Sequence, residues 1–211
     1  MAVSIPVRRI LSFYKKRDTK EYHGQYLCKS RAFRASFIKC TFRHVNFKGS
    51  IMTSCSFKDS SFIGCDFWGT NFRRSSFRNA RFRNCVFVGT LLNGCNFGGA
   101  TFDNCTFVNT NLNAAKGISI SNTVSLLYSY PSPIVSDQLA RVLAELSALP
   151  YLLRYRLLHL STQKYNMLNL ALLLSAHSEG FLIEQLPRLS WGAKTCTFGA
   201  ILDKLGRIRQ V

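Results

Sequence analysis

Large apolar residues recur every five positions through the middle of the chain. All sixteen positions from 37 to 112 in steps of five are large and apolar, and thirteen of them are Phe. The positions two residues before these hold only Ala, Ser, Thr, Cys and a single Val. A period of five fits neither an α-helix at 3.6 nor a β-strand at 2, so the pattern predicts a chain that turns at regular intervals.

This five-residue unit has a small residue, any residue, a central Phe or Leu and two further residues, and it resembles the pentapeptide-repeat family over residues 35–116. The resemblance implies a mainly β fold, a right-handed quadrilateral β-helix with four units in each coil. Residues twenty apart then stack at about 4.8 Å. The sequence supports this stacking because like residues recur at that interval, as in the column Cys65, Cys85 and Cys105. Sixteen units predict about four coils.

Composition divides the chain into four parts. Residues 1–34 are predicted to form a basic N-terminal segment and cap, and residues 35–116 the β-helix. Residues 117–136, of which 119–136 are rich in Ser, Asn and Pro, have the composition of a linker. Residues 137–211 are Leu-rich with helical spacing and predict a C-terminal α-helical region.

Local signals add detail at both ends of the predicted β-helix. In the cap, Leu27 and Phe33 are the expected apolar anchors. In the helical region, Pro150 is expected to open a helix at its first position, over residues 151–161. A following helix is expected to end near Gly180.

Residues 3–17 are basic and partly apolar and contain no acid. This composition is typical of a transit peptide, of a segment that lies on anionic lipid and of a segment that threads into RNA. The sequence leaves the three open. The longest uncharged stretch of the C-terminal region, residues 165–178, is too short and too polar to cross a bilayer.

Six of the eight cysteines occupy the small-residue positions, where Cys alternates with Ala, Ser and Thr. They are therefore interpreted as small buried residues rather than as metal ligands or disulfides. Free thiols in a core suit a reducing intracellular compartment, either the cytoplasm or an organelle matrix. The four histidines are scattered and the acids are few, so we expect neither an enzyme nor a bound cofactor or metal.

The formal net charge is +18, with Lys and Arg at 28 positions and Asp and Glu at 10. Residues 1–83 contribute +14 of it. Five arginines fall within eleven residues that contain no acid, and arginine forks bind phosphate or carboxylate well. The predicted anion-binding residues, with these five forming a belt around the β-helix, are Arg73, Arg74, Arg78, Arg81, Arg83, Lys39, Arg43 and Lys58.

One predicted outer side is apolar. Its members are Trp68, Val86, Val88 and Val108. Exposed apolar columns usually mark docking surfaces. We expect either the C-terminal part of this chain or another protein subunit to pack there, and the C-terminal helices offer a further contact, including one between two copies.

These features predict a non-catalytic scaffold that binds an anionic partner, either RNA or DNA phosphate or an anionic membrane, within a larger assembly. The resemblance implies an alternative, since some members of the family protect gyrase and related topoisomerases by imitating DNA with an acidic rod. The charge of +7 over residues 37–116 disfavours that alternative. A third interpretation is a structural or effector protein that docks to other proteins through its apolar face.

Overall fold

The computed structural model describes residues 11–15, 17–18, 20–162 and 164–208. Residues 1–10 of the predicted basic segment therefore lie outside the described residues. The described chain forms two compact units, which divide between Ser129 and Tyr130. The first unit is a parallel β-solenoid and the second is a group of helices with one β-hairpin.

Each coil of the solenoid has four sides, and strands of three residues form three of them. Side 1 contains β1 (Ser12–Tyr14), β3 (Arg31–Phe33) and β5 (Ile51–Thr53). Side 3 contains β2 (Glu21–His23), β4 (Thr41–Arg43), β6 (Ser61–Ile63), β8 (Arg81–Arg83) and β10 (Thr101–Asp103). Side 4 contains β7 (Asp66–Trp68), β9 (Val86–Val88), β11 (Thr106–Val108) and β12 (Ser125–Leu127). Side 2 is a column of parallel bridges through Arg17, Ser36, Ser56, Ser76, Asn96 and Lys116.

The solenoid has about six turns, and the prediction of about four was too low. Its first and last turns pair at an offset of nineteen residues, since Phe13 lies opposite Ala32 and Phe107 opposite Leu126. The twenty-residue offset of the middle turns is thus shortened by one at both ends. The five-residue phase is therefore lost before Tyr22 and after Leu112, whereas Tyr22 and Ala32 still pair at twenty residues with the next coil. The segments predicted as a cap and a linker thus contribute turns of the solenoid.

The cap prediction was right about one anchor and wrong about the other. Leu27 is buried in the solenoid core. Phe33 is exposed, because the inward residue of β3 is Ala32 and its two neighbours in the strand point outward. The C-terminal end of the solenoid finishes in a 3₁₀ turn, Leu112–Ala114, and in β12.

The core is a set of phenylalanine columns. Every central residue from Phe37 to Phe107 is buried. Rings in successive coils lie nearly parallel. The centroids of Phe62 and Phe82, for example, are 4.7 Å apart, and the angle between the ring planes is 4°. Rings on adjacent sides meet edge to face, as for Phe82 and Phe87, whose centroids are 5.6 Å apart with an angle of 61° between the ring planes. Both arrangements are favourable for aromatic rings, so each coil is covered by its neighbours.

The small residues bind the coils together by side-chain hydrogen bonds. Ser60 Oγ donates to the carbonyl oxygen of Phe37 at 2.6 Å, and Cys95 Sγ donates to that of Phe72 at 2.9 Å. All eight cysteines lie within the described residues, where they are buried thiols outside any disulfide. Burial raises the pKa of Cys55 and of Cys95 to about 11, so both are protonated thiols at neutral pH. A protonated thiol can donate to a carbonyl oxygen of the preceding coil as a hydroxyl does, so Ser, Thr and Cys can take the same position.

A residue with left-handed backbone turns the corner at the end of each five-residue unit, with φ between 46° and 72° from Lys29 to Asn109. Gly and Asn take most of these corners, as expected from their tolerance of positive φ. Several corners instead hold a basic residue or histidine. These residues are Lys15, Lys29, Arg34, Lys39, His44 and Arg74.

The described part of the second unit contains five helices and a two-stranded antiparallel hairpin. Their bounds are α1 (Asp137–Leu146), α2 (Pro150–Tyr155), β13 (His159–Ser161), β14 (Lys164–Tyr165), α3 (Met167–Ala176), α4 (Glu179–Gln185) and α5 (Phe198–Ile208). α1 and α3 both contact α4. Among the described residues, no helix combines the length and the apolar character that a membrane span needs.

The helical region is confirmed, with two local corrections. Pro150 does open α2, but this helix ends at Tyr155 because Arg156 adopts a left-handed conformation. Gly180 lies inside α4 rather than ending a helix. The hydroxyl of Ser178 accepts a hydrogen bond from the Phe181 N–H and thereby caps the start of α4.

Candidate anion-binding surface

The five arginines of the predicted belt belong to one coil, residues 72–91, and all five are exposed. Their distribution follows from the five-residue unit, whose central residue points inward while its neighbours point outward. Side 1 and the corner that follows it carry Arg73 and Arg74, side 2 carries Arg78, and side 3 carries Arg81 and Arg83. The structure therefore brings the predicted residues together around three sides of a single coil.

The belt is one coil wide on side 3. Arg81 and Arg83 flank the buried Phe82 in β8. In the preceding coil the residues opposite them are Ser61 and Ile63, and in the following coil they are Thr101 and Asp103. The belt thus ends at an acidic residue toward the C-terminus of the solenoid.

Side 2 carries the predicted Lys58 beside Arg78, and next to Lys58 it carries an acid, Asp59, that the prediction did not take into account. Lys58 lies one coil before Arg78, since the Asp59 N–H donates to the Arg78 carbonyl at 2.9 Å. Lys58 Nζ is 3.9 Å from Asp59 Oδ2, and Asn79 Nδ2 donates to Asp59 Oδ1 at 3.1 Å. This ion pair is partly exposed and therefore weak, but it reduces the positive charge beside the belt.

The other predicted anion-binding residues lie in the coil before Lys58. Lys39 is exposed at a corner, and Arg43 is half-buried in β4 between His23 and Ile63 of the neighbouring strands. Among the residues that the structure describes, none of the five belt arginines forms an ion pair. Their guanidinium groups are therefore available for an external anion.

The predicted apolar residues do form one side of the solenoid. Trp68, Val88 and Val108 are register partners in successive coils, and Val86 lies in the same sheet. The three valines are buried. Trp68 is half-buried, with Lys48 Nζ 4.9 Å from its ring centroid. Docking of a partner at these residues stays a prediction.

The sequence reasoning missed a basic and aromatic area on side 1. Residues 3–17 were interpreted as a basic segment and Phe33 as an inward anchor of a cap, so the outward positions of β1 and β3 were not combined into one surface. The structure places Tyr14, Phe33 and Arg31 there, with Lys15 and Arg34 at the following corners. The regular twenty-residue interval places Arg31 and Phe33, and the nineteen-residue pairing of β1 with β3 places Tyr14 beside Phe33.

No catalytic arrangement emerges around the histidines of the described chain. His23 and His44 have ring centroids 5.8 Å apart. His159 is buried in the helical unit, where desolvation lowers its pKa and favours the neutral ring. Within the described residues, no group of three or more His, Cys, Asp or Glu side chains could hold a metal ion.

The comparison with known families agrees with the solenoid. Residues 30–112 match the model of a pentapeptide repeat region, which confirms the resemblance seen in the sequence. No curated protein sequence matches the chain.

Several solved pentapeptide-repeat structures are similar to part of the chain. A protein from the thylakoid lumen of Arabidopsis thaliana is 19% identical, over 61% of this chain and 77% of its own, with a TM-score of 0.33. HetL from the cyanobacterium Nostoc, involved in heterocyst differentiation regulation, is 13% identical over 54% and 63%, with a TM-score of 0.29. Trypsin-treated QnrB1, a plasmid-mediated fluoroquinolone resistance protein, is 15% identical over 67% and 98%, with a TM-score of 0.21. These scores are too low for any of the three to indicate the function of this chain.

Proposed function

We propose that this pentapeptide repeat protein is a non-catalytic scaffold that holds an anionic partner against its solenoid. One observation carries the proposal, namely that a single coil exposes five arginines on three of its sides without an ion pair among the described residues. Lys58, Lys39 and Arg43 extend the same surface toward the N-terminus. The coil is held in shape by its buried phenylalanines, so the arginines project from a fixed frame.

The chemistry of arginine determines what such a surface can hold. Each guanidinium donates two parallel hydrogen bonds to a phosphate or carboxylate and keeps its charge at all physiological pH values. Contacts of this kind position a polyanion but do not read a base sequence. We therefore expect binding that depends steeply on salt and weakly on the order of bases.

The experiment measures binding of the full chain to a labelled oligo(U) over a range of salt concentrations. The quantity compared is the slope of log affinity against log salt concentration, to which each neutralised phosphate of a single strand contributes about 0.7. Replacement of all five belt arginines by Gln is therefore expected to make this slope shallower by about 3.5. A matched control replaces five exposed cations outside the belt by Gln, namely Lys116, Arg141, Lys164, Lys194 and Arg207.

The control variant separates belt binding from net charge because both variants have five fewer charges than the unaltered chain. The proposal requires that the control binds more tightly than the belt variant and keeps the steeper slope. Equally weakened binding in both variants, or no binding of the unaltered chain to either oligo(U) or anionic vesicles at low salt, contradicts it.

The charge of the whole solenoid argues against the alternative of an acidic DNA mimic. Residues 11–129 contain seventeen Lys and Arg against five Asp and Glu, a balance of +12. A surface of this sign repels a basic DNA-binding channel instead of filling it. Supercoiling by gyrase is therefore expected to proceed unchanged when the protein is added.

A further inference from the structure

Before the last turn of the solenoid, in which β12 exposes Leu126, side 1 differs from the other three sides in what it exposes. Among the described strand and bridge positions of the solenoid up to residue 111, the exposed large apolar side chains all belong to side 1. They are Tyr14 at 63%, Phe33 at 41%, Ile51 at 40% and Leu91 at 38%. Tyr14 and Phe33 belong to one outward column of this sheet, and Ile51 and Leu91 belong to the other. The four side chains therefore lie on the same face of the sheet.

Cations surround these apolar side chains. Lys15 Nζ and Arg34 Cζ each lie 5.2 Å from the ring centroid of the preceding aromatic residue, Tyr14 and Phe33 respectively. The two rings stack with centroids 6.1 Å apart. The exposed cations of side 1 and its following corners are Lys15, Arg31, Arg34, Arg73 and Arg74. None of the outward positions of this side between residues 12 and 111 holds Asp or Glu.

The backbone makes this surface flat. Strands of three residues span about 10 Å, and five coils at about 4.8 Å extend it by about 24 Å. Residues on a flat sheet reach a planar target together. Amphipathic surfaces that combine Lys and Arg with aromatic and aliphatic residues bind at the boundary between lipid headgroups and acyl chains.

We propose that side 1 of the solenoid binds the surface of an anionic lipid bilayer. The inference rests on the proposed function, since Arg73 and Arg74 belong to the belt, and it assigns an anionic partner to the part of the belt that lies on side 1. Aromatic rings and cations together also suit a single-stranded nucleic acid. Ile51 and Leu91 decide between the two, because aliphatic side chains insert among acyl chains but offer no ring on which a base could stack.

The test measures partition of the full chain into vesicles of phosphatidylcholine alone or with phosphatidylserine. Binding is expected only with phosphatidylserine, and each cation at the surface contributes about fivefold to affinity. An apolar-side variant keeps every cation and carries Tyr14→Thr, Phe33→Thr, Ile51→Asn and Leu91→Asn. Thr53 and Asn71 already occupy these two columns, so the replacements suit the fold.

The apolar-side variant is expected to bind vesicles about tenfold or more weakly while its affinity for oligo(U) changes less than about twofold. A matched control removes four exposed apolar side chains elsewhere, by Ile120→Ser, Tyr128→Ser, Tyr130→Ser and Ile134→Ser. The control is expected to bind vesicles like the unaltered chain. Vesicle binding that is unchanged in the apolar-side variant overturns the inference.

The outcomes for the two proposals are distinct. Binding to oligo(U) without binding to vesicles overturns the lipid assignment and leaves the belt proposal intact. Binding to neither overturns both. A second test uses the single replacement Ile51→Trp and measures quenching of Trp fluorescence by brominated lipid. The new Trp is expected to be quenched, so the variant should lose more fluorescence than the unaltered chain, which has only Trp68 and Trp191. No added quenching contradicts insertion of side 1.

Discussion

The inside and the outside of the coil formed by residues 72–91 have opposite characters within the same twenty residues. Inside, Phe72, Phe77, Phe82 and Phe87 are buried, and the last three stack on rings of the coils before and after them. Outside, the belt arginines are exposed and paired with no acid among the described residues. Position within the five-residue unit, rather than position along the chain, determines which character a residue has.

This difference means that stability and partner binding are carried by separate residues. The inward residues are interchangeable only with others of similar size, because each fills a fixed layer between two coils. The outward residues face solvent and can vary without disturbing those layers. Substitutions inside are therefore expected to change the free energy of unfolding, and substitutions outside to change binding.

The largest expected effect is at the centre of the coil. Phe82→Ala removes a ring that stacks on Phe62 at 4.7 Å and on Phe102 at 4.9 Å. We expect a decrease of about 3–5 kcal/mol in the free energy of unfolding, measured by urea denaturation followed by circular dichroism. Phe82→Leu is the control and should be less destabilised, since Leu92 occupies a central position naturally. A decrease below about 1 kcal/mol for the Ala variant would show that the columns do not hold the coils together.

A smaller effect is expected at the inner small residues. Ser75 Oγ donates to the Met52 carbonyl at 2.7 Å and accepts from the Cys55 N–H at 2.9 Å. Ser75→Ala leaves both buried groups without this partner, so a decrease of about 1–3 kcal/mol is expected in the same measurement. Ser75→Cys is the control, because Cys95 takes the equivalent place in the next coil and donates to Phe72. Equal stability of the Ala variant and the unaltered chain contradicts a role for these bonds.

The smallest effect is expected outside, at two adjacent belt arginines. Arg74 has a left-handed backbone with φ of 60°, and Gly94 fills the same corner one coil later. Arg74→Gly is therefore expected to stabilise the protein by up to about 1 kcal/mol. Arg73→Gly should destabilise it by about 0.5–1 kcal/mol, since Arg73 is not left-handed. A shift of both melting temperatures in the same direction would refute the distinction.

Much of the solenoid could be predicted from the sequence because its contacts are local and repeated. The five-residue period predicted the pentapeptide-repeat resemblance, which the match over residues 30–112 confirms, and the mainly β fold, which the structure confirms. The same period placed the five arginines on adjacent sides and around one corner of one coil. Each of these inferences uses only the rule that equivalent positions recur every twenty residues.

The rest depended on irregular features. The first and last turns were hidden because a coil shortened by one residue, as between Phe13 and Ala32, breaks the period. The turn centred on Tyr22, Leu27 and Ala32 keeps the period and was missed because none of its central residues is Phe. In the helical unit no repeat guides the prediction, and a single left-handed residue, Arg156, ends α2 earlier than its leucines suggest. Lying on anionic lipid was one of three interpretations of residues 3–17, but the surface that Tyr14 shares with Phe33 was not predicted, since the nineteen-residue pairing of β1 with β3 creates it.

The twenty-residue interval makes each middle coil an exchangeable cassette. Removal of residues 72–91 joins Asn71 to Leu92, and the central residues of the neighbouring coils keep their phase across the new junction. Duplication of residues 72–91 adds a second belt of five arginines for the same reason. A gene of this kind can therefore gain or lose a whole charged surface in one recombination event, with the architecture around it unchanged.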